Sequence, residues 1–109
     1  MATTGKQLFT TLDADGTLTV AIEDVTFPDP TGNQVLVKME AAPINPSDLA
    51  ILVGAADLEN ASYTPGKFVA TVPEPFNAGS KARHGLKLPA GNEGAGTVIA
   101  AGDSDAAKA

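Results

Sequence analysis

The sequence predicts a mainly β fold, a small antiparallel barrel or sandwich with one short helix. Several short stretches alternate hydrophobic and polar residues, which is the period of a half-buried strand. Glycine, proline and aspartate clusters separate these stretches and indicate turns. A chain of 109 residues has room for one such domain with one small core.

The first predicted element is a hairpin. Residues 7–12 are predicted to form a strand, and residues 17–27 the returning strand. The turn between them, residues 13–16, ends in Gly16, which can adopt the positive φ that a tight reversal requires.

A third strand and the helix follow. Residues 34–42 alternate again and are predicted as a strand. Pro46 to Val53 is predicted as a helix after Asn45, because proline is favoured in a first turn and Asp48 complements the positive helix start. Gly54 is suited to end this helix.

Residues 55–90 are expected to be a long loop or lid. Prolines and glycines interrupt the segment, so we expect little regular structure apart from a strand within residues 68–72. Such a segment is uncommon in a compact domain and indicates either a functional lid or partial disorder. Residues 93–101 are predicted as a closing strand, and residues 103–109 as a polar tail.

Charge and composition exclude several classes of partner. The net charge of −6 opposes binding to nucleic acid or anionic lipid. No apolar stretch reaches the about 18 residues that span a membrane, and the first residues lack the apolar run of a signal peptide. We therefore expect a cytoplasmic protein without nucleic-acid or membrane partners. The absence of cysteine excludes disulfides and thiolate-bound zinc.

Two segments of the sequence indicate the class of protein more specifically than the composition does. Ala41-Ala42-Pro43-Ile44-Asn45-Pro46-Ser47-Asp48-Leu49 and Leu88-Pro89-Ala90-Gly91-Asn92-Glu93-Gly94-Ala95-Gly96-Thr97-Val98-Ile99-Ala100-Ala101-Gly102 together resemble the medium-chain dehydrogenase/reductase superfamily. The resemblance implies that residues 1–109 form a partial, truncated GroES-like barrel, the substrate-side domain of that family. No strand followed by GxGxxG and a helix occurs, so the Rossmann domain is absent from this chain.

The resemblance favours the zinc-independent branch. Zinc members of the superfamily carry a cysteine and a histidine ligand where this chain has Asn45 and Asn92. Neutral amides are poor zinc ligands compared with thiolate and imidazole, so we expect no zinc site. Within the branch, Asn-Pro-Ser-Asp and Glu-Gly-Ala-Gly are similar to the NAD(P)H-dependent quinone oxidoreductases.

Enoyl-thioester reductases are an alternative within the same branch, since Pro-Ile-Asn-Pro-Ser-Asp and Gly-Asn-Glu-Gly resemble them too. That family expects a catalytic tyrosine after a glycine just beyond the helix, where this chain has Gly54-Ala55-Ala56. Tyr63 lies further along, and it would act as a general acid only if the loop folds back. An isolated tyrosine in such a segment is more often packing or surface.

The resemblance also implies site residues. Asn45 and Asp48 are expected beside the nicotinamide and substrate, where the amide of Asn45 contacts cofactor and orients a carbonyl while Asp48 fixes neighbouring side chains. The alternative is local structure, because Asn before Pro favours extended backbone and Asp near a helix start satisfies free amides. Both hypotheses are compatible.

Three further features have structural and functional interpretations. Residues 91–96 carry glycines spaced GxxGxG before a strand, which favours close backbone packing over phosphate binding. Glu93 is either a buried carboxylate paired with a cation or a solvated turn residue, and the resemblance favours a structural pair over catalysis. His84 lies in a basic patch, residues 81–85, that either touches a cofactor phosphate or, as we prefer, is a solvated loop.

The resemblance thus implies the N-terminal domain of a reductase that uses NADP(H) or NAD(H) and acts on quinones or conjugated carbonyls. We expect this chain to be inactive alone, because the pyrophosphate-binding fold is missing. Truncation of the barrel would expose strand edges and favour a homo-oligomer or a companion fragment. The competing hypothesis is a non-enzymatic GroES-like binding module.

Overall fold

A computed structural model describes residues 2–109, and its architecture is mainly β, as predicted, with three short helices among these residues where the sequence predicted one. The strands are β1 Thr3–Leu12, β2 Thr17–Phe27, β3 Val35–Ala41, β4 Ser62–Thr64, β5 Lys67–Thr71, β6 Lys87–Pro89 and β7 Ala95–Ala101. The helices are α1 Pro46–Leu52, α2 Phe76–Gly79 and α3 Asp105–Lys108, and Lys81–Arg83 forms a single 3-10 turn. No helix within residues 2–109 has both the length and the apolar character needed to cross a bilayer.

The strands form two sheets. Five strands pair in the order β4-β5-β2-β1-β6, and β3 pairs with β7 in a separate two-stranded sheet. The described residues divide into two compact units. The larger unit comprises residues 6–23 and 44–90, and the smaller comprises residues 24–43 and 91–109 with the N-terminal residues up to Gly5.

The predicted hairpin is confirmed as β1 and β2, which are neighbours in the five-stranded sheet. In its turn, the Gly16 N–H donates to the Asp13 carbonyl at 2.9 Å, and the Asp13 N–H donates to the Thr17 carbonyl at 2.9 Å. The Asp15 carboxylate accepts the Thr17 N–H at 2.9 Å, and this bond lowers the pKa of Asp15. Local polar chemistry therefore closes the turn.

Gly16 has φ of +92°, and a Cβ at this position would lie 2.9 Å from the Val72 carbonyl oxygen. We expect Gly16→Ala to lower the free energy of unfolding by about 1–2 kcal/mol, because an L-residue is disfavoured at positive φ. Urea denaturation followed by circular dichroism measures the change. Gly5→Ala is the control, since a Cβ there meets nothing within 4 Å; equal losses in both variants would contradict the turn argument.

The hydrophobic core of the larger unit is small. Leu12, Leu18 and Val72 are 2%, 3% and 8% exposed, and Val20, Ala56 and Phe68 pack against them. Leu12 is the last residue of β1, Leu18 is the second residue of β2, and Val72 directly follows β5. The core therefore lies where the central strands of the five-stranded sheet meet the turn end of the hairpin.

The expectation that residues 55–90 form a long segment with little regular structure is wrong. The predicted strand within residues 68–72 is confirmed as β5, and the segment also contains β4, β6, α2 and the 3-10 turn. β5 pairs antiparallel with both β4 and β2, and β6 pairs with β1. Prolines and glycines separate these short elements, while pairing with distant strands supplies the backbone hydrogen bonds that local periodicity does not reveal.

Helix α1 confirms the prediction for residues 46–53 to within one residue. The N–H groups of Val53 and Gly54 both donate to the Leu49 carbonyl, at 2.9 and 3.0 Å, and close the helix. The predicted tail at residues 103–109 also differs from expectation, because it contains α3. Ser104 caps α3 by accepting the Ala107 N–H at 3.1 Å.

In the smaller unit, β3 and β7 confirm the third and closing predicted strands. They run antiparallel, with register shifts between Leu36 and Val37 and between Met39 and Ala41. Most side chains on both strands are exposed. Gly102 is buried after β7, and a Cβ there would overlap the Gly32 carbonyl oxygen, so the close approach of two backbones requires glycine at this position.

Candidate functional site

The start of α1 holds the two residues that the sequence singles out most strongly. Asn45 is the N-cap residue, with extended backbone at φ −96° and ψ 157°, and Pro46 follows as the first helical residue. The Asn45 N–H donates to Asp48 Oδ2 at 2.8 Å, and the two residues form a capping box. The structure thus brings Asn45 and Asp48 together, as their spacing predicts.

Asp48 is 4% exposed, which is unusual for a carboxylate. Its bond to the Asn45 backbone satisfies a free amide at the helix start, so the local-structure hypothesis for Asp48 is confirmed. Asn45 is half-buried. The capping box fixes the backbone that carries the Asn45 amide, which is the requirement for a group that orients a ligand.

Tyr63 lies on β4 and is 68% exposed. It pairs across the ladder with Phe68, and the two ring centroids are 5.1 Å apart at an interplanar angle of 50°. This tilted arrangement is a favourable cross-strand aromatic pair. Tyr63 therefore contributes to the packing of β4 on β5, and its predicted role as a general acid stays a prediction.

The glycine-rich segment before β7 is explained in part by close packing. A Cβ at Gly96 would overlap the Lys38 carbonyl oxygen of the paired strand, and a Cβ at Gly94 would overlap the Met39 methyl group. The segment leads into a strand, as predicted. Asn92 and Glu93 are exposed in the approach to β7, so a buried position for Glu93 is wrong.

A buried amide network in the larger unit was not predicted. Asn77 is 5% exposed, and its Nδ2 donates to the Ala14 carbonyl at 2.9 Å and to Glu74 Oε1 at 3.1 Å. The Nε2 atom of His84 lies within hydrogen-bonding distance of two Asn77 oxygens, the backbone carbonyl at 3.0 Å and Oδ1 at 2.9 Å. Because both oxygens are acceptors, His84 Nε2 must carry the proton.

The network corrects the interpretation of His84 as part of a solvated loop. His84 is half-buried and bonded to Asn77, while the bridge between Leu12 and His84 ties the segment to the end of β1. No sequence pattern marks Asn77, which lies 63 positions from its partner Ala14. The only feature of this region that the sequence indicated was His84 within the basic residues 81–85.

Arg83, in the same predicted basic patch, is also directed inward. Its Nη2 donates to Thr10 Oγ1 at 3.0 Å, and Thr10 is fully buried. Its Nη1 donates to the Ile51 carbonyl at 3.2 Å. One side chain therefore links β1, the C-terminal half of α1 and the 3-10 turn. Arg83 is half-buried, so residues 81–85 are not a uniformly solvated patch.

A shallow groove of about 530 Å³ runs along the five-stranded sheet, within the size range of small-molecule sites. Lys87 Nζ lies 2.8 Å from Glu23 Oε2 and 4.9 Å from the centroid of the Phe9 ring on its wall. Asn45, Asp48 and Tyr63 are not among the residues that line this groove. This groove and the predicted site residues therefore do not coincide.

Within residues 2–109, no three histidine, cysteine, aspartate or glutamate side chains form a group suited to a metal ion. A comparison with models of known protein families and a comparison with curated proteins both found no match.

Proposed function

We propose that this chain is the substrate-side, partial GroES-like part of a zinc-independent medium-chain dehydrogenase/reductase, which reduces quinones or conjugated carbonyls with NAD(P)H. The observation that carries the proposal is the segment Ala41 to Leu49, in which Asn45 and Asp48 match the family motif. The capping box that they form at the start of α1 supports it, because it gives the Asn45 amide a fixed backbone.

Among the described residues, Asn45 has side-chain groups suited to the nicotinamide end of the cofactor. The Asn45 amide has both a donor and an acceptor, which suits a nicotinamide carboxamide or a substrate carbonyl. Within residues 2–109 no glycine-rich turn links a strand to a helix to bind the pyrophosphate, so a second domain would hold that part. When bound, the reduced cofactor supplies the hydride. The role proposed for this chain is to orient the acceptor carbonyl.

We expect Asn45→Ser to lower kcat/KM for quinone or enone reduction by about 100-fold, the scale for removing one positioned donor. Serine also caps helices well, so the melting temperature should stay nearly unchanged. The assay is NADPH oxidation by the full-length native protein and by the same protein carrying the substitution, with quinone, enone and enoyl-thioester substrates compared. Such a comparison also separates the leading activity from the enoyl-thioester alternative.

Asn33→Ser is the matched control, because Asn33 is an exposed asparagine in the turn before β3. It should retain full activity. An Asn45→Ser protein that folds and turns over as fast as the wild type would remove Asn45 from the mechanism. If the native protein oxidises no NADPH with any of the three substrate classes, the enzyme hypothesis is contradicted. The remaining hypothesis is then the GroES-like binding module.

The intact mass of the native protein distinguishes these two outcomes before any assay. A mass roughly three times that of this chain is what an added cofactor domain requires. A mass equal to that of this chain would favour the binding module, since hydride transfer by the superfamily needs the doubly wound domain.

A further inference from the structure

Helix α1 carries the Asn45 amide at its start, but apolar packing contributes little to holding the helix in place. Asp48 is the one buried residue among Pro46–Leu52, and Leu49 is 49% exposed. A cavity of about 60 Å³ is lined by residues at the end of α1 and by side chains of the core. A helix of about two turns without a buried apolar side chain gains little from tertiary packing. Hydrogen bonds therefore have a large share in fixing its position.

Arg83 supplies one such hydrogen bond at the C-terminal end of α1. Its Nη1 donates to the Ile51 carbonyl at 3.2 Å. Ile51 is the second-last residue of α1, so its carbonyl is among the last four, which the α-helical pattern leaves without a partner inside the helix. A positive side chain is also favoured there, because the C-terminal end of a helix is its negative end. Arg83 therefore provides both the donor and the charge that this end of α1 favours.

The same guanidinium is attached to an interior strand of the five-stranded sheet. Nη2 donates to Thr10 Oγ1 at 3.0 Å, and Thr10 is fully buried in β1. β1 lies between β2 and β6, so it is held on both edges. The backbone beside Arg83 is attached to β1 as well, since the Gly85 N–H donates to the Leu12 carbonyl at 2.9 Å. Arg83 thus links the last turn of α1 to a strand that is itself well fixed.

We propose that Arg83 is a positioning residue for hydride transfer, an inference that rests on the function proposed above. By joining the last turn of α1 to Thr10, Arg83 sets the orientation of the helix, and the helix sets the place of the Asn45 amide against the substrate carbonyl. Its effect on the reaction is transmitted through Asn45. The planar guanidinium donates to two acceptors in a fixed geometry, whereas lysine has one nitrogen on a flexible chain. A misplacement of about 1 Å in a positioned group lowers a rate by about 100-fold.

Arg83→Lys in the full-length native protein is the first test, with the substrate that the wild type reduces fastest. We expect kcat to fall by about tenfold while KM for this substrate stays within about twofold, because an orientation is lost and not a binding contact. Lys81→Met removes a neighbouring exposed cation and is the matched control, which should keep the wild-type kcat. A wild-type kcat in Arg83→Lys would overturn the proposal.

A double-mutant cycle with Asn45→Ser separates positioning of the amide from a general structural role. If Arg83 acts through Asn45, adding Arg83→Lys to the Asn45→Ser protein should lower kcat by less than about twofold. A residue that only stabilises the fold lowers kcat by the same factor in both backgrounds, since its effect does not depend on the Asn45 amide. Equal factors in the two backgrounds would therefore overturn the proposal.

Thr10 gives a second route to the same test that leaves the arginine in place. Thr10→Val removes the hydroxyl that accepts from Nη2, so we expect kcat to fall as it does in Arg83→Lys. Thr10→Ser keeps a hydroxyl at this position and should recover kcat relative to Thr10→Val. Equal values of kcat in the valine and serine variants would show that the bond to Thr10 does not position the site.

Amide hydrogen exchange, followed by mass spectrometry of the same proteins, tests the link without any turnover. In Arg83→Lys we expect residues 46–54 to exchange about tenfold faster, because the last turn of α1 has lost an attachment, while the hairpin turn at residues 13–16 should be unchanged. Faster exchange in a protein whose wild type oxidises no NADPH would contradict the proposed function but support the attachment of α1 by Arg83. Unchanged exchange at residues 46–54 would overturn the inference whatever the activity.

Discussion

Leu12→Ala is expected to lower the free energy of unfolding by about 2–5 kcal/mol, the range for removing a buried leucine side chain. Leu12 is 2% exposed and lies in the core cluster with Leu18 and Val72. Leu12 also lines a cavity of about 60 Å³ together with Leu18 and Val72. Its truncation therefore enlarges a space that the surrounding side chains already leave unfilled. A loss of this size is a large part of the stability of a small domain, about 5–15 kcal/mol.

Urea denaturation followed by circular dichroism measures this loss, with Leu86→Ala as the control. Leu86 is the same residue type in the same unit, but it is 51% exposed. Its truncation should change the free energy of unfolding by at most about 0.5 kcal/mol, as is usual at the surface. Similar losses in the two variants would mean that the core is not centred on Leu12.

Asn77→Leu is expected to lower the free energy of unfolding by about 2–4 kcal/mol, because each buried group left without its partner costs about 1–3 kcal/mol. Leucine has the same branched arrangement of heavy atoms as asparagine but larger methyl groups, so the change removes the hydrogen bonds and also crowds the site. The side-chain bonds lost are those to the Ala14 carbonyl, Glu74 Oε1 and His84 Nε2. The first of these joins α2 to the turn of the β1-β2 hairpin.

Asn60→Leu is the matched control for this prediction. Asn60 is exposed, and its Nδ2 donates to the Asp57 carboxylate at 2.7 Å, three residues away. Its replacement should cost at most about 0.5 kcal/mol. The NMR signals of the His84 ring provide a second measurement, since the proton on Nε2 loses its Oδ1 acceptor in Asn77→Leu. Unchanged ring signals would contradict the network.

Predictions made from short-range patterns agree with the structure. The β1-β2 hairpin follows from alternation around a turn that Asp13, Asp15 and Gly16 close among themselves. Helix α1 follows from Asn45, Pro46 and Asp48, whose interactions span three residues. In both cases the stabilising contacts lie within a few positions along the chain, so the local residue types are sufficient to indicate them.

Predictions that needed long-range contacts failed or were not made. Residues 55–90 contain three strands whose partners include β1 and β2, and pairing with these distant strands outweighs the frequent prolines and glycines. Arg83 reaches Thr10 across 73 positions, and Asn77 reaches Ala14 across 63. No periodicity along the sequence records such a pair.

The amino-acid sequence was thus enough for the mainly β class, the hairpin turn and the capping box at Asn45 and Asp48, because each depends on neighbours close along the chain. Only the tertiary structure shows that Arg83 and His84, predicted as part of a basic surface patch, are half-buried hydrogen-bonding partners of distant residues. The reason is physical: a polar side chain leaves water only where distant segments supply its hydrogen bonds.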